Sequence, residues 1–395
     1  MATSSQKRRA YTGPVIFSYG FRPFFFIGAL WAAIAVPLWI AGHFLGDMGL
    51  PIKTDVTWHA HEMIFGYSSA IIAGFLLTAV PNWTGRLPVV GKPLAGLLFL
   101  WLAGRIGLLI DTNSDWIGQV LDSAFIVVFA ALIFREVLAG KNQRNVKIAL
   151  ILSLFALANI GFHLSQHFEW WSFDQLSRLG LGIVLMLIVI IGGRVTPSFT
   201  TNWLRSRSDV KPVPLNRYDM FTMIVSAVSI LTWVLASNYS LSGALLILAG
   251  SLNLVRLMRW KFWATFSEPL LLILHIGYAW AAAAFLLNGA AVLWPDVFAA
   301  ISGVHAIGTG AIGVMTLAIM TRATLGHSGQ PLRSDLPTIL IFVLINVAAF
   351  TRVGTPYLGA DLQPSFTVVA AVFWCLSFAL YCSVYGRYLW KPRSA

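Results

Sequence analysis

The residues best equipped for chemistry in this chain are its eight histidines. Most of them gather at the ends of apolar runs. Trp58-His59-Ala60-His61-Glu62-Met63 opens one run, Phe162-His163 and Gln166-His167 close another, and Val304-His305-Ala306 lies early in a third. Imidazole beside hydrocarbon is costly unless it is paired, hydrogen-bonded or bound to a metal, so the clustering points to a metal or haem centre. His163 and His167 stand four apart, a spacing that puts two side chains on one helical face and can chelate one ion. Two histidines bonded to water at a helix end fit that spacing equally well. His59 and His61 stand two apart and cannot share a face of a regular helix, so either they precede it or only one points inward. Imidazole suits copper, iron and zinc, and no carboxylate cluster asks for calcium or magnesium.

The neighbours of these histidines add chemistry of their own. His305 is surrounded by Ser302, Gly303, Ala306, Gly308, Gly310, Ala311 and Gly313. Such a helix either packs closely on another helix or leaves room for a flat cofactor such as haem. Gly66, Ala70 and Gly74 offer a second small-residue surface on the His61 helix. Arg105 and Arg178 fall within apolar runs, where they can meet haem propionates or pair with Asp122, Glu62 or backbone carbonyls. Glu62, next to His61, is a candidate proton relay or an orienter of that ring.

The elements that carry these residues are membrane helices. The chain is 58% hydrophobic and 11% charged, less than half the charge of an ordinary soluble domain. Apolar stretches long enough to cross a bilayer core of ~30 Å recur throughout. The reading is an all-α polytopic membrane protein, one integral domain over 1–395, with twelve spans. They cover approximately 22–44, 59–83, 91–110, 116–138, 146–168, 175–199, 218–236, 240–259, 268–288, 296–321, 336–352 and 363–387. With a cytoplasmic N-terminus, all but Lys53, Arg105, Arg178 and Arg352 of the 27 basic residues fall on the inner side, which places both termini inside. The charge of +12 is spread over many loops rather than one patch, so nucleic acid is not an expected partner. Lys7-Arg8-Arg9 before a long apolar run reads as an uncleaved first helix. Cys375 and Cys382 lie seven apart in the last span, too far apart to bridge, and read as small core residues. No Cys-x-x-Cys-His supports covalent haem attachment.

Depth follows from the same register. His163 lies sixteen residues beyond Lys147 and His305 seventeen before Arg322, so each is roughly 25 Å from the inner face at 1.5 Å per residue. His59, His61 and His167 join them in the outer half, with His43 near the outer edge. His275 falls in the inner half, and His327 in an inner loop Leu325–Gly329. The second, sixth and tenth spans end in related stretches: Thr78-Ala79-Val80-Pro81-Asn82-Trp83-Thr84, Arg194-Val195-Thr196-Pro197-Ser198-Phe199-Thr200 and Met320-Thr321-Arg322-Ala323-Thr324. That period of four helices suggests three four-helix units, like haem–copper oxidase core subunits. By that analogy His61 and His305 would be haem ligands.

Several segments together resemble the NnrS family of bacterial membrane proteins. They are Phe21-Arg22-Pro23-Phe24-Phe25-Phe26, the stretch from Trp58 to Gly66, Gly74 to Gly85, Gly192 to Thr200, His305 with its glycines, and Thr321 to Gly329. The resemblance runs from residue 17 to about residue 330. It implies a haem b and copper protein of the bacterial cytoplasmic (inner) membrane that binds nitric oxide and protects against nitrosative stress, in the setting of denitrification. By motif, His59, His61, His275, His305 and His327 are the positions to suspect as ligands. His163 and His167 enter from the depth argument. Both simple binding and oxidoreductase turnover fit the sequence, and turnover would draw electrons from a quinol or a cytochrome. The rival is a copper or small-solute transporter, for which twelve spans are a common plan and Gly192-Gly193 or Gly308–Gly313 would be helix breaks.

Overall fold

Runs of leucine, isoleucine, alanine and phenylalanine can satisfy their backbone in lipid only by closing it into helix. The computed structural model of the chain does so throughout. It describes residues 11–46, 49, 51–86, 88–112, 116–141, 143–168 and 171–393, so Lys7-Arg8-Arg9 lies outside the described residues. Twelve helices long and apolar enough to cross a bilayer succeed one another. They are α1 (Phe21–Leu45), α2 (Val56–Thr84), α3 (Lys92–Leu109), α4 (Trp116–Ala139), α5 (Gln143–Leu164) and α6 (Phe173–Leu204). The second half supplies α7 (Arg217–Leu235), α8 (Ser240–Arg259), α9 (Pro269–Leu293), α10 (Ala300–His327), α11 (Leu336–Gly354) and α12 (Gln363–Trp390). Among the described residues there is no strand, only an isolated bridge between Ile52 and Ile110. Phe99, Leu157, Ile224, Val343 and Phe350 are exposed, as side chains facing lipid would be.

Three helix ends differ from the sequence expectation, and each difference moves a histidine. The Asp55 carboxylate accepts from Trp58 N at 2.7 Å and caps α2 early, so His59 and His61 are both helical. α5 stops at Leu164 rather than continuing to 168, and His167 lies in the following turn. α10 runs on to His327 because no stop signal comes until Gly329, at φ +77°, and Pro331. His327 is therefore the last residue of a helix and not part of a loop.

α2, α6 and α10 share a further departure from regular geometry. Each contains a π-helical segment: Glu62–Tyr67, Ile188–Gly192 and Ala306–Gly313. These are the three spans that end in related sequences. π-bulges occur preferentially at functional sites, and in α2 and α10 the segment begins immediately after a histidine.

The chain resolves into two compact units. The first comprises Met1–Gly180, Ala323–Gln330 and Tyr381–Ala395. Here α3 and α4 pack backbone to backbone: a Cβ on Gly107 would stand 2.8 Å from Gly118 Cα, and one on Gly104 would stand 2.8 Å from Asp122 Cα. Only glycine permits that approach. Arg22, buried at the start of α1, donates to Tyr388 O (3.1 Å), Leu389 O (2.8 Å) and Lys391 O (2.7 Å) at the end of α12. It thereby satisfies carbonyls that a helix end leaves open.

The second unit comprises Leu181–Arg322 and Pro331–Leu380. Its polar centre is Arg256, fully buried. The guanidinium donates to Asp219 Oδ1 (2.8 Å), Val189 O (2.9 Å), Tyr278 Oη (2.8 Å) and Gly193 O (3.4 Å). Val189 belongs to the α6 π-segment, so Arg256 holds backbone there. Tyr278 in turn donates to Asn253 Oδ1 at 2.6 Å.

Candidate metal centre

Within the first unit, four helices bring six polar side chains to one buried place. α2 contributes His61 and Glu62, α3 Arg105, α4 Asp122, and α5 Asn159 and His163. None of them is more than 4% exposed. In lipid surroundings, polar groups this deep must satisfy one another. Asp122 Oδ2 is the hub. It accepts from Asn159 Nδ2 at 2.8 Å and faces His163 Nε2 at 2.8 Å and His61 Nε2 at 3.1 Å. The other ring nitrogen of His61 faces Glu62 Oε1 at 3.2 Å, and Asn159 Oδ1 lies 2.9 Å from its Nε2.

Arg105 joins the two acids. It donates to Glu62 Oε2 at 2.7 Å and forms an ion pair with Asp122. Gly104 explains how, since its missing side chain lets α3 approach α4 at Asp122. Trp31 Nε1 donates to the same Glu62 Oε2 at 2.7 Å. Trp101 Nε1 donates to Gly66 O at 3.0 Å and holds the π-segment that carries Glu62.

The arrangement suits a metal ion on three grounds. His61, Asp122 and His163 each offer a ligand atom, all within 4.8 Å of one another. The two imidazole Nε2 atoms stand 3.1 and 2.8 Å from Asp122 Oδ2, a few tenths of an ångström closer than the roughly 3.4 Å between two ligands ~2.1 Å from a tetrahedral ion. Two carboxylates face one guanidinium, so a second positive charge, imidazolium or metal ion, completes the balance. His163 turns its Nε2 to this site, and its Nδ1, the ring's other nitrogen, is buried without a hydrogen-bond partner. Two imidazoles with one carboxylate is a donor set for copper, zinc or iron.

His61 is closely enclosed by other side chains. Both of its ring nitrogens face protein oxygens, and Phe65, Phe162 and His163 stand with centroids 5.5, 5.4 and 4.6 Å from its own. His305 is half-buried. Its Nδ1 lies 2.9 Å from Ile301 O, which can only accept, so this ring nitrogen donates. One turn on, a Cβ added to Gly308 would meet nothing within 4 Å.

The remaining sequence candidates are placed elsewhere. His59 is half-buried and stacks on Trp39 at 4.3 Å. His167, exposed, stacks on Trp116 at 4.2 Å and bonds Gln119 Oε1 at 3.0 Å, so it does not share an inward face with His163. His275 is buried in the second unit with its Nε2 3.0 Å from Thr200 Oγ1. His327 packs against Tyr19 and Phe21. Arg105 is engaged by carboxylates, while Arg178 is half-buried with an unbonded Nε. Sequence reasoning named Asp122 only as a partner for arginine and missed Asn159. The available signal was an acid in the apolar face of α4 and an amide four residues before His163.

No curated protein matches this chain. The family model described as NnrS protein matches residues 15–393, running on through the last two helices beyond the extent expected from the motifs. That match takes in α1 through α12 and all six residues of the buried centre, and the chain belongs to the NnrS family.

Proposed function

We infer that the protein is a haem b and copper protein of the bacterial cytoplasmic membrane, with both termini on the cytoplasmic side, that binds nitric oxide and guards against nitrosative stress. The observation carrying this reading is the buried His61–Asp122–His163 donor set, two carboxylates against one arginine. Those three residues would hold the copper ion, and His305 would hold the haem. A redox metal bound there would supply a site at which nitric oxide can be held and can gain or lose an electron.

The chain's own residues perform the rest. Glu62 and Asn159 orient the His61 ring, and such supporting bonds govern ligand basicity and direction. Arg105 holds both acids in place. The hydrocarbon shell of Phe65, Phe155 and Phe162 excludes bulk water. Nitric oxide is small, neutral and soluble in lipid, so a dry site without a polar channel remains within its reach.

The test is a reduced-minus-oxidised visible spectrum of detergent-purified protein, repeated after adding nitric oxide and paired with metal analysis. The expected result is a b-type spectrum that shifts with the gas, copper in the wild type, and loss of copper in His163→Ala. A protein that stays colourless and metal-free after production with ample haem and copper overturns the reading. Copper uptake into vesicles without haem absorbance favours a transporter instead.

A further inference from the structure

A metal ion cannot reach a site buried in lipid without giving up its water, and hydrocarbon offers no ligand in exchange. A buried metal centre therefore needs an entry path as well as a donor set. In the first unit, the start of α4 and the end of α5 supply one. Gln119 stands one turn before Asp122 on α4, and Gln166 and His167 follow His163 by three and four residues, in the turn after α5. Three or four residues of helix measure about 5 Å. The centre is buried, but only one helical turn separates it from exposed side chains.

The side chains of that turn are joined. His167 Nε2 lies 3.0 Å from Gln119 Oε1, and Gln119 Nε2 donates to Gln166 Oε1 at 3.5 Å. Gln166 and His167 are exposed, whereas Gln119 is only 4% exposed. A buried amide carries a desolvation cost that leucine, of similar volume, would not. The amide oxygen can only accept, so His167 Nε2 donates, and a neutral ring then has its lone pair on Nδ1. Trp116, stacked on His167 at 4.2 Å, holds this outer ring in place. His163 repeats the arrangement one turn further in. Its Nε2 faces the Asp122 carboxylate, an acceptor, and its buried Nδ1 has no hydrogen-bond partner. Two imidazoles four residues apart, one exposed and one buried, thus each have a second nitrogen to offer a metal ion, and the Gln119 amide lies beside the outer one.

We propose that the ion of the buried centre enters and leaves along this α4–α5 seam, copper passing from His167 past Gln119 to His163. The inference rests on the proposed function for the ion. Each transfer exchanges one neutral nitrogen or oxygen donor for another. No bond within the protein is broken, and the ion keeps its oxidation state.

The experiment uses the full chain in lipid nanodiscs, loaded with copper(II), and follows loss of the ion to excess EDTA by absorbance and by copper paramagnetic resonance. Uptake is then followed from added copper(II) after the chelator is removed. A path sets both rates and leaves Kd alone, whereas a ligand of the bound ion sets Kd. His167→Ala and Gln119→Leu are expected to slow loss and uptake alike by about tenfold or more, with unchanged final copper content and Kd. Gln119→His keeps a donor in the seam and restores the wild-type rates. His43→Ala, at an exposed histidine outside the seam, leaves them unchanged. Melting temperatures of the copper-free variants check that each is folded. Wild-type rates in both His167→Ala and Gln119→Leu, with copper bound, overturn the path alone. So do a weakened Kd in either variant, equal slowing by His43→Ala, and a Gln119→His variant as slow as Gln119→Leu. Absence of bound copper from the wild type overturns the proposed function and the path together.

Discussion

Both compact units bury an arginine against a carboxylate beside a π-segment, yet they use it differently. Arg256 faces one acid, Asp219, and directs its other donors to Val189 O, Gly193 O and Tyr278 Oη. Arg259 also reaches Asp219, at 3.5 Å. Positive charge is in surplus there, and the donors are occupied by backbone and hydroxyl. That centre holds a helix in shape. Arg105 faces two acids, and the excess negative charge is surrounded by imidazoles, one with an unbonded nitrogen. Charge balance, rather than burial or the presence of a π-segment, separates a structural polar core from a place that attracts a cation.

The strongest way to break this comparison is to remove each arginine. Arg105→Met strands two buried carboxylates and is expected to cost about 3–5 kcal/mol, read as a fall in detergent melting temperature. Arg256→Met leaves Asp219 with Arg259 and with the Asn216 backbone N–H at 2.9 Å, so its loss is smaller. Equal losses would mean that charge balance is not what distinguishes the centres. Metal linkage comes next. Copper at a hundredfold excess over its Kd should stabilise the wild type by about 2.7 kcal/mol. His163→Ala should abolish that gain, whereas Tyr278→Phe should keep it.

Tyr278→Phe itself removes the hydroxyl between Arg256 and Asn253, for an expected loss of about 1–3 kcal/mol. Metal content measured on the same sample should not change. The smallest effect belongs to His167→Ala. The ring is exposed and lies outside the cluster, so stability should move by less than ~0.5 kcal/mol and bound copper not at all. A loss of copper in that variant would restore the paired His163–His167 chelate.

The twelve spans are legible in sequence because lipid leaves an apolar run only one backbone solution, and loop charges mark the alternation. Helix ends are less legible. His167 and His327 were misplaced because a turn after Leu164 carries no proline or glycine signal, and because Gly326 does not stop a helix that Gly329 does. His61 and His163 stand out as imidazoles in hydrocarbon. Asn159 does not, since a single amide in an apolar helix has many uses. Their convergence depends on Gly104 and on the π-turn after His61, and a pattern of period 3.6 registers neither.

Arg22 has a consequence for how the protein is made. Its helix leaves the ribosome before the eleven other spans, while the carbonyls it binds belong to Tyr388, Leu389 and Lys391 at the end of α12. α2 through α11 must therefore be synthesised and inserted with this guanidinium still awaiting its partners. Chains that stall before α12 would present an uncompensated charge inside the membrane, a mark by which cellular quality control can tell unfinished copies from finished ones.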